Sequence, residues 1–286
     1  MTKVAISSDN HLDVNRVDLE ATLTAQAQYL RSIAADYYFH IGDLFNDFAQ
    51  TQDYMQQLQQ RLAGQTRVYY LAGNHDMMNH ASFDQLESLP DAHYLHNRFI
   101  DLPGSQWRVI GNNGWYDYGF SQYADQPERV ASWKRVYWLD STAEQPMSDP
   151  ERMQRVLQQV RGRLLQAQAD GRRVLFLTHF APRHELLAPR PARVNTPRHE
   201  KVFEMIQAML GSDRLGELLE SFPNVSYVAY GHLHNRHPAL SRGHVTYLHQ
   251  AVGVRNRRVN EWQRATFIEQ WQATLRVLNL SSKNDH

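Results

Sequence analysis

The chain has 286 residues, of which 42% are hydrophobic, and it contains no cysteine. A chain of this length and composition can bury a sizeable core, while the missing thiols exclude disulfide bonds, a thiolate nucleophile and a zinc ion held by cysteine. Basic and acidic side chains are equal in number, which argues against a sequence-independent binder of long nucleic acid. The N-terminus has no apolar stretch of signal-peptide length, and no later run approaches the ~18 apolar residues of a membrane span, so we expect a cytoplasmic protein.

Strand and helix patterns alternate in the first quarter of the chain. Apolar runs at 4–6, 37–41 and 68–71 predict buried strands, and apolar residues at helical spacing predict helices at 19–33 and 55–62. Because parallel strands need crossover connections, this alternation predicts a parallel sheet with right-handed crossovers.

A short polar block follows each of these three predicted strands. The blocks are Asp9-Asn10-His11, Gly42-Asp43 and Gly73-Asn74-His75-Asp76. In a parallel sheet, the loops at the carboxyl ends of the strands converge on one edge. The spacing therefore predicts that five side chains meet there: Asp9, His11, Asp43, Asn74 and His75.

The middle of the chain departs from this alternation. Segments 98–100 and 107–110 predict a hairpin, and residues 112–146 are then rich in aromatic side chains without a steady period. This insertion is either a lid or substrate wall beside the site, or a peripheral subdomain that packs its own rings. Asp149 and Pro150 predict the start of a helix, with Asp149 as its cap.

Two predicted strands in the second half also end in polar blocks. The run 174–177 precedes Thr178-His179, and the run 225–230 precedes Gly231-His232-Leu233-His234. The remaining strand-length runs predict a second, mixed sheet, and they lie at 245–248, 265–268 and 275–278. The last residues, Ser281 to His286, are predicted to form a loose tail.

The five blocks share the chemistry of metal ligands. Together they supply carboxylate, amide and imidazole groups, a mixture that suits divalent transition metals. Seven candidates are too many for one ion, but they suit two ions ~3.5–4 Å apart that share a carboxylate, an arrangement used for in-line displacement at phosphorus. Such a pair activates a water and neutralises charge that develops on the phosphoryl oxygens.

In this order, Asp-x-His, Gly-Asp, Gly-Asn-His-Asp, His and Gly-His-x-His, the blocks resemble the calcineurin-like metallophosphoesterase superfamily over roughly residues 4 to 238. The resemblance implies an α/β fold, a two-sheet α/β/β/α sandwich. It also implies a single domain over 1–286, with lid or cap insertions at about 112–146 and 183–197, and a centre of two metal ions, manganese, iron or zinc.

The resemblance also assigns roles to the site residues. It implies that Asp9, His11 and His234 hold one ion, that Asn74, His179 and His232 hold the other, and that Asp43 bridges them. His75 would contact the phosphate and assist the leaving oxygen, with Asp76 orienting its ring. The second block departs from the family, which commonly continues Gly-Asp-x-x-Asp, because here Asn46 and Asp47 follow Leu44-Phe45.

Other polar residues have weaker support. Asp13 is interpreted as a helix cap or as a residue behind the ligands. The arginines from Arg183 to Arg198 form either a solvated loop or a phosphate-binding stretch near the metals. Histidines without a motif are interpreted as structural: His40, His80, His93, His96, His184, His237 and His249.

The predicted function is hydrolysis of a phosphate ester by a dinuclear metal centre. The substrate is expected to be a small phosphomonoester, phosphodiester or nucleotide. Two alternatives remain, a nuclease of the same superfamily that uses Arg190 or Arg193, and a binding module that kept the fold and lost catalysis. Neither a membrane partner nor a particular oligomeric state is indicated.

Overall fold

Two β-sheets with helices on their outer faces make up the protein, and the computed structural model describes residues 1–79 and 81–281. The helices and strands, in chain order, are β1 (Thr2–Ser7), α1 (Leu19–Ser32), β2 (Tyr37–Ile41), α2 (Phe48–Leu62), β3 (Arg67–Leu71), α3 (Phe83–Ser88), β4 (Arg98–Asp101), β5 (Trp107–Gly111), α4 (Pro127–Tyr137), α5 (Asp149–Ala169), β6 (Arg173–Leu177), α6 (Pro197–Gln207), α7 (Asp213–Glu220), β7 (Val225–Tyr230), β8 (Leu240–Arg242), β9 (Val245–His249), α8 (Phe267–Thr274) and β10 (Arg276–Leu280). Short 3-10 helices span Leu139–Thr142 and His184–Leu186.

The two sheets are both mixed. The first has the order β10-β1-β2-β3, in which β1, β2 and β3 are parallel and β10 is antiparallel. The second has the order β4-β5-β6-β7-β9-β8, with a parallel centre and antiparallel outer strands. The predicted sandwich of two sheets is confirmed.

Alternation along the strands divides the core into an inner and an outer part. Val4 and Ile6 of β1 pack with Leu175 and Leu177 of β6 in the layer between the sheets. Ala5, between them in sequence, packs on the other side with the helices. Because β1, β2 and β3 run parallel, as do β6 and β7, their carboxyl ends bring five loops together.

Three local predictions were wrong. The strand predicted at 275–278 for the second sheet is β10, which pairs with β1 in the first sheet. Ser148, and not Asp149, caps α5, and it forms a capping box with Glu151. Residues 265–268 do not form a strand, because Thr266 caps α8 in a second capping box with Glu269. Burial of Phe267 and Trp271 at helical spacing supports the helix.

No helix within 1–79 or 81–281 is long and apolar enough to cross a bilayer. His80, interpreted above as structural, and most of the predicted C-terminal tail, 282–286, lie outside the described residues. The single domain over 1–286 stays a prediction.

Candidate metal centre

All seven predicted ligands lie in loops directly after strands. Asp9 and His11 follow β1, Asp43 follows β2, Asn74 follows β3, His179 follows β6, and His232 and His234 follow β7. The backbone φ angle is positive at four of them, 54° at Asp9, 43° at His11, 59° at Asp43 and 65° at His232. A positive φ is unfavourable for side chains other than glycine, and such strain concentrates at functional sites.

Two glycines give the ligand loops the space to approach each other. A Cβ atom on Gly42 would collide with the ring of His179, and one on Gly73 would collide with the carboxylate of Asp43. Gly42 also has a φ of 98°. The loops after β2 and β3 therefore need glycine because of close contacts within the site.

The first group of ligands comprises Asp9, His11 and His234. The Nε2 atoms of His11 and His234 lie 3.0 Å apart. Asp9 Oδ1 lies 3.7 Å from Nε2 of His234, and the Asp9 carboxylate also accepts a hydrogen bond from the backbone of His232. Asp9 and His11 are fully buried, whereas His234 is partly exposed, so the group lies at the boundary between the core and solvent.

The second group comprises Asn74, His179 and His232. Asn74 Oδ1 lies 3.1 Å from Nε2 of His179 and 3.0 Å from Nδ1 of His232. Asp43 joins the two groups, since its Oδ2 lies 3.3 Å from His179 Nε2 and 3.8 Å from His11 Nε2. Asp43 therefore lies between the two groups of candidate ligands.

The pKa values of the histidines in the cluster indicate that its carboxylates favour additional positive charge nearby. Burial would lower the pKa of His179, but Asp43 and Asp9 raise it to about 9. Burial would also lower the pKa of His234, yet Glu261 and Asp9 raise it to about 9. Burial and neighbouring histidines keep the pKa of His11 well below its usual range. The carboxylates therefore favour the protonated form of two of the rings. Bound metal cations would balance the same negative charge in place of these protons.

The residues present fit a metal-binding role. Carboxylate and imidazole donor atoms lie within 4.8 Å of one another in three sets, which are Asp9, His11 and His234, then His11, Asp43 and His75, and finally Asp43, His179 and His232. Within the described residues, the donors are all nitrogen and oxygen atoms, in keeping with a chain without cysteine.

Groups behind the ligands hold two of the rings in place. His234 Nδ1 lies 2.9 Å from Oε2 of Glu261, which also accepts a hydrogen bond from the backbone of Val254. His179 Nδ1 donates to the carbonyl of Ile41 at 3.0 Å. Such hydrogen bonds select the tautomer and the orientation of a ligating imidazole. Sequence reasoning missed Glu261, which lies in a loop without a strand or motif before it.

Asp76 does not orient the ring of His75, and this prediction was wrong. The Asp76 carboxylate is buried and accepts hydrogen bonds from Thr51 Oγ1 at 2.6 Å and from the backbone of Asp43 and Gly73 at 2.7 and 2.8 Å. Burial and the nearby Asp43 raise its pKa to about 6. Asp76 thus joins the loops after β2 and β3 and holds Asp43 from behind.

Asn46 takes the place beside His75. Its Oδ1 lies 2.7 Å from Nδ1 of His75, and its Nδ2 donates to Oδ2 of Asp13 at 2.9 Å. Because a carboxylate only accepts, Asp13 fixes the amide with its oxygen towards His75. Asn46, where the second block departs from the family pattern, therefore contacts His75 directly. Asp13 hydrogen-bonds Asn46 and does not contact the ring itself.

A pocket of about 560 Å³ opens over the ligands. Its floor includes Asp43, Asn74, His75, His232 and His234. Its walls come from both predicted insertions, with Trp138 and Leu139 from the first and Leu187 and Pro189 from the second. The aromatic insertion contributes to the pocket lining, and its Trp115, Tyr116 and Tyr118 are buried in the main core and not in a peripheral subdomain.

The arginines after His179 do not line this pocket. Arg183 is buried, and its Nε lies 3.3 Å from Glu220. Arg190 is paired with Glu200 of α6. Of the histidines interpreted as structural, His237 lines the pocket, whereas His40, His96 and His249 are buried elsewhere.

The chain matches one family profile and several solved structures. The profile of the calcineurin-like phosphoesterase family matches residues 2–236, which include every predicted ligand. A dimetal phosphatase from Danio rerio has a TM-score of 0.50 at 13% identity, over 87% of this chain and 86% of its own. Purple acid phosphatase PPD1 from yellow lupin seeds has a TM-score of 0.37 at 18% identity, over 82% of this chain and 38% of its own. No curated protein sequence matches the chain.

Proposed function

Because the chain belongs to the calcineurin-like phosphoesterase family, whose profile matches most of its length, we propose that it hydrolyses a phosphate ester at a centre of two metal ions. Metal-dependent phosphoester hydrolysis is the activity of the family. The presence of two ions, the part of each residue and the substrate are the proposal. The observation that carries it is the position of Asp43 between two groups of candidate ligands, with its Oδ2 3.3 Å from Nε2 of His179 and 3.8 Å from Nε2 of His11.

Each ion is assigned to one set of ligands. Asp9, His11 and His234 would hold one ion, and Asn74, His179 and His232 would hold the other, with Asp43 shared. When bound, such ions supply an activated water and offset the negative charge of the phosphoryl oxygens. Manganese, iron and zinc all accept this mixture of oxygen and nitrogen ligands.

His75 is the residue that faces the ester. It lies in the floor of the pocket, and its backbone N–H donates to Asp43 Oδ1 at 2.9 Å. Since Asn46 presents an oxygen to Nδ1, the proton of the neutral ring sits on Nδ1, and Nε2 is left free for the substrate. Once protonated there, the ring can donate a proton to the departing oxygen.

Elemental analysis of the purified protein, combined with assays of phosphomonoesters, phosphodiesters and nucleotides in the presence of manganese, iron or zinc, tests this proposal. We expect close to two ions per chain and hydrolysis that disappears on chelation and returns when metal is added. Full metal occupancy without hydrolysis of any ester would instead support a binding module.

A nuclease remains the second candidate because of one observation. A cavity of about 660 Å³ beside Asn46, here called the basic cavity, is lined by four exposed arginines, Arg16, Arg255, Arg257 and Arg258. Nuclease activity that uses this surface should fall steeply with salt and with loss of Arg257 and Arg258. Cleavage that is indifferent to both would remove this candidate.

A further inference from the structure

We propose that the substrate of this centre is an ester with a single phosphate and a bulky apolar alcohol group, which occupies the pocket over the ligands. The inference rests on the proposed function, because it requires that the floor of the pocket binds the phosphate. It adds the chemical class of the group that the phosphate carries.

The walls above the ligands are apolar, and we call this region the apolar pocket. It is lined by Trp138, Leu139, Leu187, Pro189, Phe203 and Leu210. Leu139 is 46% exposed, although it lies in an ordered 3-10 helix. Apolar side chains left open to solvent directly above a polar site indicate a surface that a ligand covers.

Charge in the pocket argues against a second phosphate. None of the described residues that line it is a lysine or an arginine, and its charged walls and floor include the carboxylates of Asp43 and Asp140. A further phosphate placed against Leu187 or Phe203 would lose its hydration without gaining a cation. The apolar pocket therefore suits an uncharged organic group.

The wall is tied to the ligands, so its position is defined. Asp140 accepts a hydrogen bond from Nε1 of Trp138 at 3.1 Å and another from Nδ2 of Asn74 at 2.8 Å. One buried carboxylate thus holds a wall residue and a proposed metal ligand together. These two hydrogen bonds fix Trp138 in the wall of the pocket relative to Asn74 in its floor.

A series of alkyl phosphates tests the inference, because ethyl, butyl, hexyl and octyl phosphate share the same leaving-group chemistry and differ only in apolar length. The corresponding alkyl methyl phosphates form a parallel series of diesters. We expect kcat/KM to rise with chain length by up to about fourfold per buried methylene until the pocket is filled. Binding of octyl phosphonate, measured by calorimetry, should strengthen over ethyl phosphonate in the same way.

Two leucine variants of similar exposure separate the pocket from the general surface. Leu139→Ser in the wall should lower the ratio of octyl to ethyl phosphate kcat/KM by about fivefold. Leu165 lies on α5 outside the pocket and is 52% exposed. The control variant Leu165→Ser should leave the ratio unchanged. Metal content of both variants shows whether the ligand set is intact.

Failure of this inference differs from failure of the proposed function. If no phosphate ester is cleaved with any metal, the proposed function is wrong. If short and long alkyl phosphates are cleaved equally well, the proposed phosphoesterase activity is supported and the proposed preference for an apolar alcohol group is wrong. A preference for oligonucleotides that weakens with salt and with Arg257→Ala would also overturn the inference and transfer the substrate to the basic cavity.

Discussion

The metal centre and the apolar pocket are in contact, but they come from different parts of the chain. The ligands sit at the ends of five parallel strands, each within a few residues of the sheet, and their positions follow from the fold. The pocket walls come from the segments after β5 and β6, which have no strand of their own. Under the proposed function the chemistry depends on the loops at the strand ends and the selectivity on the insertions, so mutations should affect the two separately.

The largest effect is expected at Asp43. Asp43→Asn removes a charge between the two ligand sets, so we expect less bound metal and a loss of turnover of about a thousandfold or more. Inductively coupled plasma mass spectrometry and steady-state kinetics measure the two effects. Asp53→Asn, at an exposed position of α2, is the matched control and should change neither. Normal activity in Asp43→Asn would refute the shared-ligand role.

His75→Ala should leave the metals in place and remove a group that faces the substrate. We expect kcat to fall about a hundredfold with metal content unchanged. His199→Ala, at an exposed position of α6, serves as the control. An empty metal site in His75→Ala would show that His75 is a ligand and that the division of roles is wrong.

Lys134→Met tests how much the ion pair between α4 and α5 contributes to the stability of the segment that carries the pocket wall. Lys134 Nζ lies 2.6 Å from Asp149 Oδ1 in a buried ion pair that joins α4 to α5. Breaking the pair leaves a buried carboxylate without its cation, so the free energy of unfolding should fall by about 3 kcal/mol. Denaturant unfolding measures this loss, and the exposed Lys201→Met is the control.

The same variant has a predicted pH dependence. Burial opposes ionisation of Asp149, but Lys134 and hydrogen bonds from Tyr118 and Trp115 hold its pKa below the usual range. A lowered carboxylate pKa stabilises the fold above the unfolded pKa, and the effect is lost as the pH falls through the folded pKa. The difference between wild type and Lys134→Met should therefore narrow as the pH falls below about 4. A difference that grows in acid would contradict this assignment.

Glu261→Gln should weaken metal binding without emptying the site. The carboxylate fixes the ring of His234, and loss of its charge should lower metal affinity by about thirtyfold. Competition with a chelator measures the affinity, with the exposed Glu128→Gln as the control. Unchanged affinity would show that His234 does not depend on this contact.

Asn46→Ala should give the smallest effect. It removes the acceptor at Nδ1 of His75, so the ring is held less firmly and kcat should fall about tenfold, while bound metal is unchanged. The exposed Asn195→Ala is the matched control. A loss of metal in Asn46→Ala would place Asn46 among the supports of the ligands instead.

Site residues directly after a predicted strand could be identified from the sequence, whereas site residues that come from loops far along the chain could not. Asn74 could be assigned to the site because a predicted strand comes directly before it. Glu261 could not, since it reaches His234 through a loop that carries no period or motif. The role of Asp76 was carried over from the family resemblance, whereas in this chain the turn directs its carboxylate back to Thr51.

The sequence by itself determined most of the strands, the order of the polar blocks and the types of candidate ligand, because alternating apolar runs and turn residues act over short distances. Only the tertiary structure decided that Asn46 contacts His75, that Asp140 hydrogen-bonds both Trp138 and Asn74, and that the arginines after His179 do not line the pocket. Those contacts depend on how loops from separate strands pack against each other. The substrate is therefore to be sought in the pocket walls, whose apolar character became visible only once they were placed over the ligands.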